Sequence, residues 1–317
     1  VAGTVVVVGS LSRDLVVKSP RLPVRGETIR GTDFGMFVGG KGNNQALAAS
    51  RAGAKVSMVG RVGDDDFGTT IIDTLVRTGV DAQRVIRDPE VGTGIAIIIV
   101  GGDGDNSIVI AQQANLKLSA ADVEDARGLI ESAGIVLLQM EVPMETNIAA
   151  AKVAYRAGVP VALNPAPAPE DGKLPEELLR HLTFIIPNQT EVQQLTGIEA
   201  TTRGGATQAA AALRALGPKT VILTLGEQGA LLSQQGNDDA TFVDSFSVSA
   251  IDTTAAGDAF CGAFAASFAR GTALDAAIKF GCAAGALACT RLGAEPSLPQ
   301  LKEIEQLLAS GNTANIV

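Results

Sequence analysis

The sequence predicts an α/β fold: a mainly parallel sheet covered by helices on both faces, with a small second sheet attached. Three observations carry this prediction. Short apolar β-type runs alternate with helical stretches, the core composition is aliphatic, and two segments break the alternation in the same way.

The β-type runs span residues 4–9, 56–62, 135–140, 160–164, 184–187 and 221–225. At least one stretch of helical periodicity separates each run from the next, which calls for crossover connections and hence parallel strands. Hydrophobic residues make up 46% of the 317-residue chain and aromatics 3%. The core is therefore built from Ala, Val, Ile and Leu, as in helices packed closely on a buried sheet. The two exceptions are residues 15–38, extended but broken by Pro20, Pro23 and Gly26, and residues 92–113, where two apolar runs flank an Asp103-Gly104 turn signal. They read as a small sheet appended to one domain covering residues 1–317. Residues 95–100 are apolar at every position, so both faces of that strand need cover, from substrate, from another chain or from its own domain. The Ala/Gly-rich stretch 204–217 reads as a helix and its cap.

A net charge of −9 and a pI near 4.8 argue against nucleic-acid and anionic-membrane partners and for a small ligand. The opening valine run is too short for a signal-peptide core and has no basic residues before it, so a cytoplasmic protein is expected. Cys261, Cys282 and Cys289 lack C-x-x-C spacing and read as buried thiols. His181 is the single histidine, which excludes a multi-histidine metal site.

Ligands of parallel sheets collect at the carboxyl ends of the strands. Asp14, Glu141, Asn164, Asn188 and Gly226 follow five of the runs. The most informative segment runs Asp252-Thr253-Thr254-Ala255-Ala256-Gly257-Asp258 into an apolar helix. Small residues at a helix start let an anion approach unpaired N–H groups. Asp258 in the same turn is either a helix-stabilising carboxylate or an acceptor for the proton of an attacking hydroxyl. Gly39-Gly40-Lys41-Gly42-Asn43-Asn44-Gln45 opens an Ala-rich helix. Its glycines allow close backbone contact, and Lys41 and Asn44 can donate to hydroxyls, although a loop-to-helix junction with a solvated lysine has the same pattern. Phosphate-loop spacing is absent. Asn188 and Glu191 suit a capping box, or a magnesium-bearing phosphate site. Thr224-Leu225-Gly226-Glu227-Gln228-Gly229 is a turn between strands that can pass close to a nucleotide.

In this order the motifs resemble the ribokinase, or PfkB, family of carbohydrate kinases, from Val5 to about residue 310. Gly26-Glu27-Thr28, the turn Asn164-Pro165-Ala166-Pro167, and Thr290-Arg291-Leu292-Gly293-Ala294 before Pro296-Ser297 add to the match. The resemblance implies a three-layer α/β/α sandwich with a β-sheet lid from about 15–38 and 92–113, and a homodimer formed through the lid. It also implies in-line transfer of the γ-phosphoryl of ATP to the 5-hydroxyl of ribose, with Mg2+ and K+. Asp258 would be the base, with Ala255, Ala256 and Gly257 forming the anion hole. The sugar would be held by Asp14, Gly40, Lys41, Asn44 and Glu141. The nucleotide would lie against Asn188, Thr224, Leu225, Gly226, Glu227, Gln228, Gly229, Gly257 and Cys282, with Glu191 in the magnesium–phosphate environment. The monovalent cation would sit among Asp252, Thr254, Ala288, Arg291, Gly293 and Ser297.

The chain departs from the family pattern at Ser12, where asparagine is usual, at Cys282, where histidine often flanks the adenine, and at Ala111-Gln112-Gln113 in the lid. Deoxyribose, fructose or a nucleoside as acceptor, and an idle sugar-binding protein, are the alternative readings. A dinucleotide oxidoreductase suits the sheet but would need a G-x-G-x-x-G after the first strand.

Overall fold

The computed structural model describes residues 3–102, 105–237 and 239–311. Asp103 and Gly104, the expected hairpin turn, lie outside the described residues.

In chain order the strands are β1 (Thr4–Val8), β2 (Ser12–Lys18), β3 (Asp33–Gly39), β4 (Lys55–Gly63), β5 (Val80–Asp88), β6 (Gly94–Val100), β7 (Asn106–Ala111), β8 (Ile135–Leu138), β9 (Val161–Leu163), β10 (Phe184–Ile185), β11 (Thr220–Thr224), β12 (Ala230–Gln234) and β13 (Thr241–Val243). The helices are α1 (Lys41–Arg51), α2 (Asp66–Arg77), α3 (Ala120–Asp125), α4 (Arg127–Glu131), α5 (Met144–Arg156), α6 (Glu176–Leu179), α7 (Gln189–Thr196), α8 (Arg203–Ala215), α9 (Ala256–Ala269), α10 (Leu274–Ala288) and α11 (Leu301–Ser310).

Nine strands form one sheet in the order β13-β12-β11-β10-β9-β8-β1-β4-β5. All neighbours are parallel except β11–β12 and β12–β13. Side chains on a strand alternate between faces, and the sheet has a core on each. Val5, Val7, Ile135 and Leu137 pack with α1, α2, α9, α10 and α11, whereas Val6, Val8, Val136 and Leu138 pack with the helices from α3 to α8. This is the expected three-layer sandwich. The chain grows from β1 toward β4 and β5, then returns to add β8 on the other side of β1. That reversal opens a crevice at the carboxyl ends, where a ligand can enter.

A separate four-stranded sheet has the order β3-β2-β6-β7. Residues 19–32 carry no strand, so β2 and β3 are joined by a long excursion. Asp14 lies inside β2, not in a loop after β1. Within the single chain the all-apolar β6 is only partly covered, with Ile97 exposed, and every residue of β7 is exposed.

One contact fixes the geometry of the crevice. Gly262 on α9 faces α1 so closely that an added Cβ would lie 2.6 Å from both Ala48 Cβ and Gln45 O. Gly262→Ala should therefore force the two helices apart, costing roughly 1–3 kcal/mol. Denaturant titration would read the loss, and turnover should fall with it because the two helices carry the groups described next.

Candidate active site

The turn before α1 sits directly on the end of β1. Gly40 has φ 89°, a conformation that suits glycine. A Cβ on Gly42 would lie 2.5 Å from Ser10 N, and Asn43 N donates to Ser10 O at 2.9 Å. This close approach presents Asn44 and Gln45 to the start of α9. That helix begins after Ala255, a non-glycine residue at φ 59°, and places Asp258 in its first turn.

Asp258 is 6% exposed. Its Oδ2 accepts from Asn44 Nδ2 and its Oδ1 from Gln45 Nε2, both at 3.0 Å. Gln45 Nε2 also donates to Asn164 Oδ1 at 3.2 Å, while Gln139 Nε2 donates to Gln45 Oε1 at 2.8 Å. The chain of amides orients Gln45 so that it can only donate to the carboxylate. Burial raises the Asp258 pKa above the ordinary carboxylate value, and Lys41, Gln45 and Asn44 oppose that rise. The result is a buried carboxylate held in one rotamer, able to accept a proton.

Glu141 Oε2 accepts from Ser10 Oγ at 2.5 Å and from Lys41 N at 2.9 Å, joining the end of β8 to the glycine turn. The Lys41 ammonium has its pKa raised by Asp258 first and by Glu141 as well, with burial opposing. Asp14 faces the same space from β2. Burial, with Glu141 and Asp258 nearby, pushes its pKa up to about 6. A carboxyl whose folded pKa exceeds its unfolded value opposes folding once ionised: the penalty is absent below pH 3.8 and complete above about 6. Asp14→Asn is thus expected to raise the thermal midpoint at pH 8 but not at pH 4, and thermal scans at the two pH values check it.

A cavity of about 190 Å³ lies against Lys41, Asn164, Asn188, Glu191, Gly257 and Asp258. It shares Asn188, Thr224, Thr253 and Gly257 with a groove of about 980 Å³. Asn188 and Glu191 do form the capping box of α7, with Glu191 accepting from Asn188 N and Nδ2 at 2.9 Å each. The same glutamate lines the cavity, where burial raises its pKa. Gly226, Glu227, Gln228 and Gly229 form one wall of the groove, and Cys282, with its thiol pushed up to about 12 by burial, lies in another. A Cβ on Gly229, at φ 93°, would fall 2.0 Å from Val243 O, so the turn requires glycine. Leu225 is buried behind it.

Beside the start of α9, Asp252 Oδ1 accepts from Thr254 N at 2.9 Å and from Thr254 Oγ1 at 2.6 Å, and Oδ2 from Gly293 N at 2.8 Å. Burial would raise Asp252, but these hydrogen bonds outweigh it and hold the carboxyl below its usual value. Ile251 N and Asp252 N both donate to Cys289 O, Ala288 ends α10, and Ser297 Oγ donates to Ala294 O. Arg291 is paired with Glu303. Among the described residues no group of three or more His, Cys, Asp or Glu could hold a metal ion.

The structure thus brings Asp14, Glu141, Lys41 and Asp258 to one side of the crevice and the Asn188 and Gly226 turns to the other. Asn44, expected to meet hydroxyls, is also a donor to Asp258. Sequence reasoning singled out Gln45 only as part of a motif and passed over Gln139 and Ser10. A buried glutamine at the end of an apolar strand was the one available signal for Gln139.

Residues 2–301 match the family described as pfkB family carbohydrate kinase. The ribokinase of Haemophilus influenzae is 38% identical over 305 residues, 96% of this chain and 98% of that protein. That of Bacillus subtilis is 38% identical over 309 residues, again covering 96% and 98%. The Arabidopsis thaliana ribokinase solved with ribose and ATP has a TM-score of 0.89 and 37% identity, covering 97% of this chain and 99% of that one.

Proposed function

This chain belongs to the pfkB family of carbohydrate kinases, and from that premise we propose that it transfers the γ-phosphoryl group of ATP to the 5-hydroxyl of D-ribose. The observation that carries the reading is the position of Asp258. The carboxylate is clamped between Asn44 and Gln45 one residue from Gly257, at the junction of the inner cavity and the groove.

Ribose lies among Asp14, Gly40, Lys41, Asn44 and Glu141, and the nucleotide lies in the groove along Asn188, residues 224–229 and Cys282. The ribose hydroxyl gives its proton to Asp258 as its oxygen bonds to the γ-phosphorus. The bond from that phosphorus to the β,γ-bridging oxygen breaks, and its electron pair leaves with ADP. The amides of Ala255 and Gly257 and the dipole of α9 face the transferring group, whereas Ala256 N, expected to join them, donates to Thr253 O at 3.2 Å. The four-stranded sheet acts as a lid that excludes water, within one catalytic unit. Its exposed Phe34, Ile108, Val109 and Ile110 support a homodimer formed through it. Three free cysteines fit a reducing compartment, and the cytoplasm is the proposed location. No described helix is long and apolar enough to cross a membrane.

Mg2+ fits beside Glu191, whose carboxylate lines the cavity where the phosphates would meet it. When bound it offsets phosphate charge. The loop at Asp252 offers a single carboxylate with the Thr254 hydroxyl against it, a low-charge donor set suited to a monovalent cation. Arg291, paired with Glu303, leaves that carboxylate unneutralised. Activity should therefore be several-fold higher in potassium than in sodium at equal ionic strength; equal rates would remove the cation from the account.

The proposal is tested by ADP release from a panel of acceptors at saturating ATP. Ribose should give the highest kcat/KM. A preference for 2-deoxyribose, fructose or a nucleoside would reassign the substrate, and sugar binding without ATP consumption would make the protein a binding module.

A further inference from the structure

A nucleotide phosphate chain is polyanionic, yet the groove assigned to it has a single basic side chain among its described lining residues. That residue is Arg203, and two acidic residues, Glu227 and Asp244, line the same groove. The other nearby cations are committed elsewhere. Lys279 Nζ donates to Asp244 O at 2.5 Å and stands 4.2 Å from the Phe246 ring centre. In the inner cavity the Lys41 ammonium is drawn to Asp258 and Glu141.

Arg203 opens α8, on the face of the sheet opposite α9. Its guanidinium carbon is 4.5 Å from the centre of the Phe242 ring. Stacking engages the flat face of a guanidinium and leaves its N–H edge free to donate. Gln189 and Thr190, which follow Asn188, line the same wall.

We infer that Arg203 is a nucleotide-binding residue that pairs with the α- and β-phosphate oxygens of ATP and ADP, with Phe242 as its platform. The inference rests on the reading of the groove as the ATP site. It gives the phosphate chain a protein cation within the groove, where no other described lining residue supplies one.

The test compares ADP and adenosine binding by calorimetry in the wild type, Arg203→Met and Arg203→Lys. Methionine preserves most of the apolar contact with Phe242 but removes the charge. ADP affinity should fall roughly tenfold in the methionine variant, the scale of one charge-assisted contact, and largely recover in the lysine variant. Adenosine affinity should not change, and ribose KM should stay at the wild-type value. The salt dependence of ADP binding should also be shallower in Arg203→Met. Unchanged ADP affinity would overturn the inference, as would an equal loss for adenosine, which would assign the contact to the base. If ribose is phosphorylated with ATP while Arg203→Met binds ADP normally, the groove assignment stands and only the arginine's role fails. A wild-type protein that binds no ADP overturns both.

Discussion

Asp258→Asn is expected to lower kcat by about 10²–10⁴-fold, the range contributed by a positioned proton acceptor, with ribose affinity changed only slightly. Asparagine is nearly isosteric and can still meet the Asn44 and Gln45 amides after reorienting, so fold and sugar site should survive. What it cannot do is take a proton. The loss should therefore appear in kcat, with little change in KM for either substrate. Steady-state kinetics with a calorimetric ribose titration would separate the two effects. A variant that turned over at the wild-type rate would show that the base lies elsewhere.

The second large effect is expected from Gln45→Glu. The wild-type glutamine donates to Asp258 at 3.0 Å, and replacing its amide with a carboxylate removes a donor and sets a like charge at hydrogen-bond distance. Both changes raise the pKa of Asp258 further above its ordinary value, where burial has already moved it. Because the reaction needs the ionised form, the wild-type rate falls as pH drops through the Asp258 pKa, and in the variant that fall should begin at higher pH. Activity at pH 7 should drop by roughly 10²-fold and recover in part as pH rises. Gln45→Met, which loses the donor without adding charge, should give a smaller displacement in the same direction. A purely structural role for Gln45 would lower the rate equally at every pH, and a pH–rate profile distinguishes the cases.

The parallel core of the fold was legible because β8, β9 and β10 are uninterrupted apolar runs and β1 and β11 nearly so, the pattern of strands buried on both faces. The sheet edges were less so. In β5, Val80–Asp88, charged and polar residues stand at most exposed positions, so no apolar run marks it. Strand β13 is three residues long, too short for any periodicity. The two motif segments were visible as glycine-rich helix starts. Their meeting was not, because Asn44 and Asp258 are 214 residues apart and nothing local records the approach of α1 to α9. Gly262, which allows that approach, is one more small residue in an Ala-rich helix. Gln139 illustrates the same limit: its partner Gln45 lies 94 residues away, and only the packed structure explains why a glutamine belongs at the end of an apolar strand. At Asn188 and Glu191 the sequence allowed a cap or a ligand site, and the structure forms the cap at the cavity wall.

The most direct measurement is the identity of the product formed from ribose and ATP by the purified protein in magnesium and potassium, read by 31P and 1H NMR. The account predicts a phosphomonoester on the 5-oxygen of ribose, formed in step with ADP and missing from an equal amount of Asp258→Asn over the same interval. ADP accompanied only by inorganic phosphate, or an ester on a different oxygen, would contradict it.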